Sequence, residues 1–165
     1  MYLYILRHGI AAARGTGNYP NDDRPLTPEG IETMRAEAAA MAKMKIRFDA
    51  ILTSPLQRAY ETARIVADVL HCQDKIEIRD ALAPGGSMQD LFAALNQHKD
   101  KENVLVVGHE PDLSWVASML LGAKGAAIEF KKGSLCSIWI SDIPPLDPGT
   151  LIWHLTAKQL KLMAE

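Results

Sequence analysis

The run Val104-Leu105-Val106-Val107 constrains this chain more than any other stretch of it. A strand with one wet face alternates apolar and polar residues. A strand that is apolar at every position must be covered on both faces, and such strands belong to parallel sheets flanked by helices. Tyr2 to Leu6 and Phe48 to Thr53 are short apolar runs of the same kind.

Helical patterns separate these runs. Thr27-Pro28-Glu29 is a helix start, with a capping hydroxyl, proline at the first helical position and an acid in the first turn. Ile31, Met34, Ala38 and Met41 then recur at helical spacing to about Met44. Ser54-Pro55 predicts the cap of a second helix, with Leu56, Ala59, Ala63, Val66 and Leu70 as its stripe. Further on, Lys75 to Ile78 predicts a strand, Pro84-Gly85-Gly86 a turn and Ser87 to Asn96 a third helix. A fourth helix follows Pro111, with Leu113, Val116 and Leu120 on one face and Gly122 as its stop. Ser134 to Ile140 and Thr150 to Leu155 are the last strands, parted by a proline-rich turn. Strand and helix alternate, which predicts an α/β three-layer sandwich with a largely parallel central sheet and an antiparallel edge. The 165 residues suit one domain spanning 1–165.

Composition narrows the function classes. A net charge of −2 gives no basic footprint for nucleic acid. Cys72 and Cys136 stand far apart, in no Cys-x-x-Cys pairing, which predicts reduced thiols in a cytoplasmic protein. The apolar start is cut off at Arg7-His8, too soon for a signal peptide, and no apolar run reaches membrane-span length. His71, His98 and His154 share no ligand spacing, and there is no His-Glu-x-x-His, so no metal is expected. Trp115, Trp139 and Trp153 are expected in core or edge packing, and Lys131-Lys132-Gly133 in a solvated turn.

In open α/β sheets, ligands bind beyond the carboxyl ends of the strands. Arg7-His8-Gly9 follows the first strand, Ser54 and Arg58 the second, and Gly108-His109-Glu110 the strand at 104–107. Two arginines and two histidines are thereby delivered to one edge by three separate segments. Their mutual repulsion is relieved by an anion, and guanidinium forks match phosphate oxygens bidentately. Arg24 has two readings, a brace on Asp22 or Asp23 and a reach into the site.

These residues carry a resemblance. Leu6-Arg7-His8-Gly9, Arg24-Pro25-Leu26-Thr27-x-x-Gly30, Ser54-Pro55-x-x-Arg58-Ala59-x-x-Thr62-Ala63 and Val107-Gly108-His109-Glu110-Pro111 resemble, in order, the motifs of the histidine phosphatase (phosphoglycerate mutase-like) superfamily. Within it, Asp23-Arg24-Pro25-Leu26-Thr27 and Ala83-Pro84-Gly85-Gly86 are most similar to the SixA-type phosphohistidine phosphatases. The resemblance implies a phosphoglycerate mutase-like fold and a metal-independent phosphatase without cofactor. It makes His8 the nucleophile, with Arg7, Arg58 and His109 holding the phosphoryl oxygens and Gly9 allowing close backbone approach. The general acid stays open among Asp80, Glu110 and solvent, because relatives use a glutamate where Asp80 stands.

Three functions compete: a phosphohistidine phosphatase acting on a protein, a small-molecule phosphomonoesterase or mutase, and a non-catalytic phosphate-binding module. A binder needs no nucleophile, which disfavours the last. The stretch from His71 to Asn103 is too short for a separate lid domain, which favours a phosphohistidine-bearing protein as substrate.

Overall fold

The computed structural model of the chain describes residues 1–123 and 128–165. Six strands, β1 (Tyr2–Arg7), β2 (Ala50–Thr53), β3 (Ile76–Ile78), β4 (Asn103–Gly108), β5 (Leu135–Trp139) and β6 (Thr150–Leu155), form one sheet in the order β3-β2-β4-β1-β5-β6. β1, β2, β3 and β4 run parallel, and β5 is antiparallel to both β1 and β6. The antiparallel edge therefore lies where the last two strands were expected.

Alternation along the strands builds the two sides of the sandwich. Leu3, Ile5, Leu52, Val104, Val106 and Ile138 pack against α3 (Met88–Asn96) and α4 (Asp112–Leu120). Tyr4, Leu6, Ile51, Leu105, Val107 and Leu135 face α1 (Pro28–Lys43), α2 (Gln57–Leu70) and α5 (Ala157–Ala164). Val104 to Val107 are fully buried, so this strand is covered on both faces as its sequence requires. The fold is the three-layer α/β sandwich with a largely parallel sheet, and no separate lid stands over it among the described residues.

Some local expectations need correction. α2 begins at Gln57 with Leu56 as its N-cap; Ser54 lies ahead of the helix and accepts a hydrogen bond from the Leu56 amide. α5 was not anticipated, although Thr156-x-x-Gln159 is a complete capping box at its start. Trp115 is 65% exposed: α4 spends Leu113, Val116, Ala117 and Leu120 on the core, and Trp115 falls off that stripe. Trp139 is also exposed, near the end of the sheet, while Trp153 packs on Tyr4 at 5.9 Å. Lys131 and Lys132 are exposed, and the neighbouring residues 124–127 lie outside the described ones. No described helix is long and apolar enough to cross a membrane.

Candidate active site

Register explains why the histidines meet. β1 and β4 are adjacent and parallel, with Arg7 paired to Gly108, so His8 and His109 leave the sheet side by side. The His8 amide bonds the Gly108 carbonyl at 3.1 Å, and the two rings lie 5.1 Å apart at 54°. β2 flanks β4 on its other side, and the Ser54 amide bonds the Val107 carbonyl at 3.0 Å. Arg58, one turn into the chain after Ser54, reaches back so that its Nε donates to His8 Nε2 at 3.3 Å. Arg7, His8, Arg58 and His109 thus form one cluster, and all but Arg7 are buried.

A main-chain carbonyl fixes the tautomer of His8. His8 Nδ1 lies 2.7 Å from the Gly9 carbonyl, which can only accept. The proton therefore sits on Nδ1, and Nε2 carries the free lone pair aimed at Arg58. Burial chiefly, with His109, Arg58 and Arg7 adding repulsion, drives His8 down to about 3 against the opposing Gly9 bond. Burial likewise takes His109 down to about 4. Both rings are neutral near pH 7. Ser54 Oγ accepts from the Leu56 amide and lies 2.8 Å from His109 Nε2, a contact that either neutral tautomer of His109 can make. His109 Nδ1 is buried and has no partner among the described residues. Arg7 donates through Nη1 to the Phe130 carbonyl at 2.7 Å, and its buried Nε is also without a partner there. The cluster thus holds an unprotonated nitrogen at His8 Nε2, which accepts from Arg58, and an Arg7 Nε–H not spent on any described residue.

Gly9 is tied to α2 and packed against α1. Its amide is spent on Thr62 Oγ1 at 3.0 Å, and Thr62 in turn donates to the Arg58 carbonyl at 2.7 Å. A side chain on Gly9 would meet Leu26 and Met34 rather than the anion edge. Gly9 therefore orients His8 through its carbonyl and packs closely against α1. Thr62 is the link that joins the two halves of the site.

Neither candidate acid joins the cluster. Asp80 begins a short 3-10 turn after β3, is exposed, and has no hydrogen bond or ion pair with any described site residue. The turn Asp80–Leu82 crosses from β3 to the end of β4, where the Leu82 carbonyl lies 3.5 Å from the position a Cβ on Gly108 would take. Glu110 is taken up at the start of α4, accepting from the Ser114 amide at 3.0 Å and from its hydroxyl. Arg24 is a brace: Nε bonds Asp22 Oδ1 at 2.7 Å and Nη1 the Ala12 carbonyl at 2.6 Å. Two features escaped the sequence reading, the Asp22 carbonyl and Glu37. Asp22 places its carbonyl 2.7 Å from Arg58 Nη1, and a main-chain contact leaves no sequence signal. Glu37 is buried in α1 against Gly133, whose amide bonds the Arg7 and His8 carbonyls. Gly133 has φ +76°, and a Cβ there would sit 2.4 Å from Glu37 Oε1.

Among the described residues, no group of three or more His, Cys, Asp or Glu is placed to hold a metal ion. A buried histidine at the end of a parallel strand, bonded by Arg58 and beside a second histidine and Arg7, is an arrangement suited to handling a phosphate group in an α/β protein. The sequence profile of the histidine phosphatase superfamily (branch 1) matches residues 3–84. An uncharacterized protein of Picosynechococcus sp. is 35% identical over 142 residues, 84% of each chain. The phosphohistidine phosphatase SixA of Escherichia coli K12 is 26% identical over 164 residues, 98% of each. The solved structure of protein histidine phosphatase SixA complexed with tungstate superposes with TM-score 0.85 at 27% identity, over 98% of this chain and all of that one. This chain belongs to the histidine phosphatase superfamily, and it is a phosphatase of that type.

Proposed function

We propose that the protein removes the phosphoryl group from phosphohistidine on a protein, through a covalent phospho-His8 intermediate. The observation that carries this reading is the His8 tautomer: Nδ1–H is tied to Gly9, so Nε2 is an unprotonated nucleophile at neutral pH. His8 Nε2 attacks phosphorus in line while the bond to the substrate nitrogen breaks. Arg58 Nε moves from His8 Nε2 onto a phosphoryl oxygen, and Arg7 Nε and, in its Nδ1–H tautomer, His109 supply the unspent donors. These donors neutralise charge as the group transfers, without a metal. Water then attacks the phosphorus of phospho-His8, releasing inorganic phosphate and the free ring.

The leaving group decides the substrate class. An alkoxide needs a positioned acid, worth about a hundred- to ten-thousand-fold. Asp80 is exposed and has no side-chain hydrogen bond or ion pair among the described residues, and Glu110 is committed to Ser114, so neither is held beside His8 by such a bond. An imidazole, with a pKa of about 6.5, takes its proton from solvent. The uncovered site also suits a protein side chain better than a small sugar phosphate, which benefits from a lid. The likeness to SixA across the chain supports the same reading. The test is kcat/KM on a phosphohistidine protein against phosphoserine, phosphotyrosine and sugar phosphates. Preference for phosphohistidine is expected; efficient turnover of a sugar phosphate would assign a small-molecule phosphomonoesterase and leave the His8 chemistry standing.

A further inference from the structure

Three arginines converge on one carboxylate beside the site. Arg24 Nε donates to Asp22 Oδ1 at 2.7 Å, and Arg14 Nη2 reaches Oδ2 at 3.2 Å. Arg58 Nη2 stands 3.5 Å from the same Oδ2. Asp22 also turns its main-chain carbonyl to Arg58 Nη1 at 2.7 Å and to the Arg24 amide at 2.9 Å. Asn21 and Asp22 both lie in the left-handed region, at φ +56° and +59°, a conformation few side-chain-bearing residues adopt. Asp23 Oδ1 fastens the same turn to the Gln57 amide at 2.6 Å. The loop is bent and pinned so that Asp22 faces Arg58.

The two contacts from Asp22 differ in kind. The carbonyl contact is short and is held by the pinned backbone. The carboxylate contact is long, shared among three guanidinium groups, and made by a side chain that is 34% exposed. Asp22 also lines an open cleft of about 450 Å³ with Arg14, Tyr19 and Arg24, so its side chain has room to turn. Arg58 itself is 3% exposed and could not stay unpaired at such depth without cost.

We propose that Asp22 is a positioning residue for Arg58: its carbonyl is a fixed pivot, and its carboxylate is a resting counter-ion that yields Nη2 to the incoming phosphoryl group. The inference rests on the reading of Arg58 as a phosphate ligand. When the phosphoryl oxygen arrives, the carboxylate keeps Arg24 and Arg14, so the exchange strands no charge. After hydrolysis the same carboxylate competes for Arg58 and helps expel inorganic phosphate. Asp22 therefore lowers the affinity for product, where a purely structural ion pair would leave it unchanged or raise it.

The experiment is competitive inhibition by inorganic phosphate at low salt, with a generic aryl phosphate as substrate. In Asp22→Asn that has a wild-type circular dichroism spectrum, Ki for phosphate and KM are expected to fall about two- to fivefold, the range of one partly exposed ion pair. kcat is expected not to rise, because release is slower. Unchanged or weaker phosphate inhibition in the folded variant overturns the proposal. Should Asp22→Asn not fold, the wild type soaked with orthovanadate decides. Asp22 Oδ2 is expected to leave Arg58 while its carbonyl stays, and a carboxylate still at its present distance overturns the proposal. Failure of the underlying reading is distinct: Arg58→Gln would then leave the wild-type Ki for phosphate unaltered.

Discussion

Glu37→Met should stabilise the protein, and by an amount that grows with pH. Glu37 is fully buried and neither carboxyl oxygen has a hydrogen-bond partner among the described residues. Burial pushes it up from 4.5 to about 8, with Lys161 of α5 opposing. The folded chain thus keeps a proton that the unfolded chain releases above 4.5. Stability accordingly falls as pH rises from about 4.5 to about 8 and levels off beyond. At about 1.36 kcal/mol per pH unit, the wild type loses on the order of 3 kcal/mol relative to the variant between about pH 5 and pH 8. For a chain of this length that is roughly 6 to 12 °C in Tm. His8 and His109 act in the opposite sense below about pH 6.5, but they do so in both proteins. The difference curve therefore isolates Glu37. Urea unfolding followed by circular dichroism at a series of pH values measures it. Glu37→Gln should lose the pH slope as well, yet lie below the methionine variant because its amide has nothing to bond. Parallel wild-type and Glu37→Met curves would refute the assignment of a neutral buried carboxyl.

Thr62→Val keeps shape but strands the Gly9 amide and releases the Arg58 carbonyl; a loss of about 1–3 kcal/mol in urea unfolding is expected, with a fall in kcat. A chelator should leave turnover unchanged and vanadate should inhibit strongly, as seen in a steady-state assay with and without added magnesium or zinc. Asp80→Asn, exposed and unpaired, should leave kcat/KM on phosphohistidine within about twofold, and a larger loss there would make it the acid after all.

The sequence carried the sheet because covered strands must be apolar at every position, as Val104 to Val107 are. It carried His8, Arg58 and His109 because strand ends converge in this fold, and register then brings Arg7 and Gly108 opposite one another. What escaped it depends on facing and on main chain. The Asp22 carbonyl and the Gly133 amide have no side-chain signature, and the partner of the Thr62 hydroxyl, the Gly9 amide, has none either. The missing Cβ of Gly9 also serves packing, since a side chain there would meet Leu26 and Met34. Glu37 was hidden among the alanines of a helix whose stripe was counted on apolar residues alone. α5 is only eight residues long, and its capping box was the one available signal.

The phosphorylated intermediate tests the central claim most directly. Labelled substrate is mixed with enzyme, the reaction is stopped in alkali during turnover, and the label is mapped by peptide mass spectrometry. A base-stable, acid-labile phosphate on His8 is expected in the wild type, with neither label nor turnover in His8→Ala. Label on His109, a serine or a cysteine, or undiminished turnover by His8→Ala, would contradict the account.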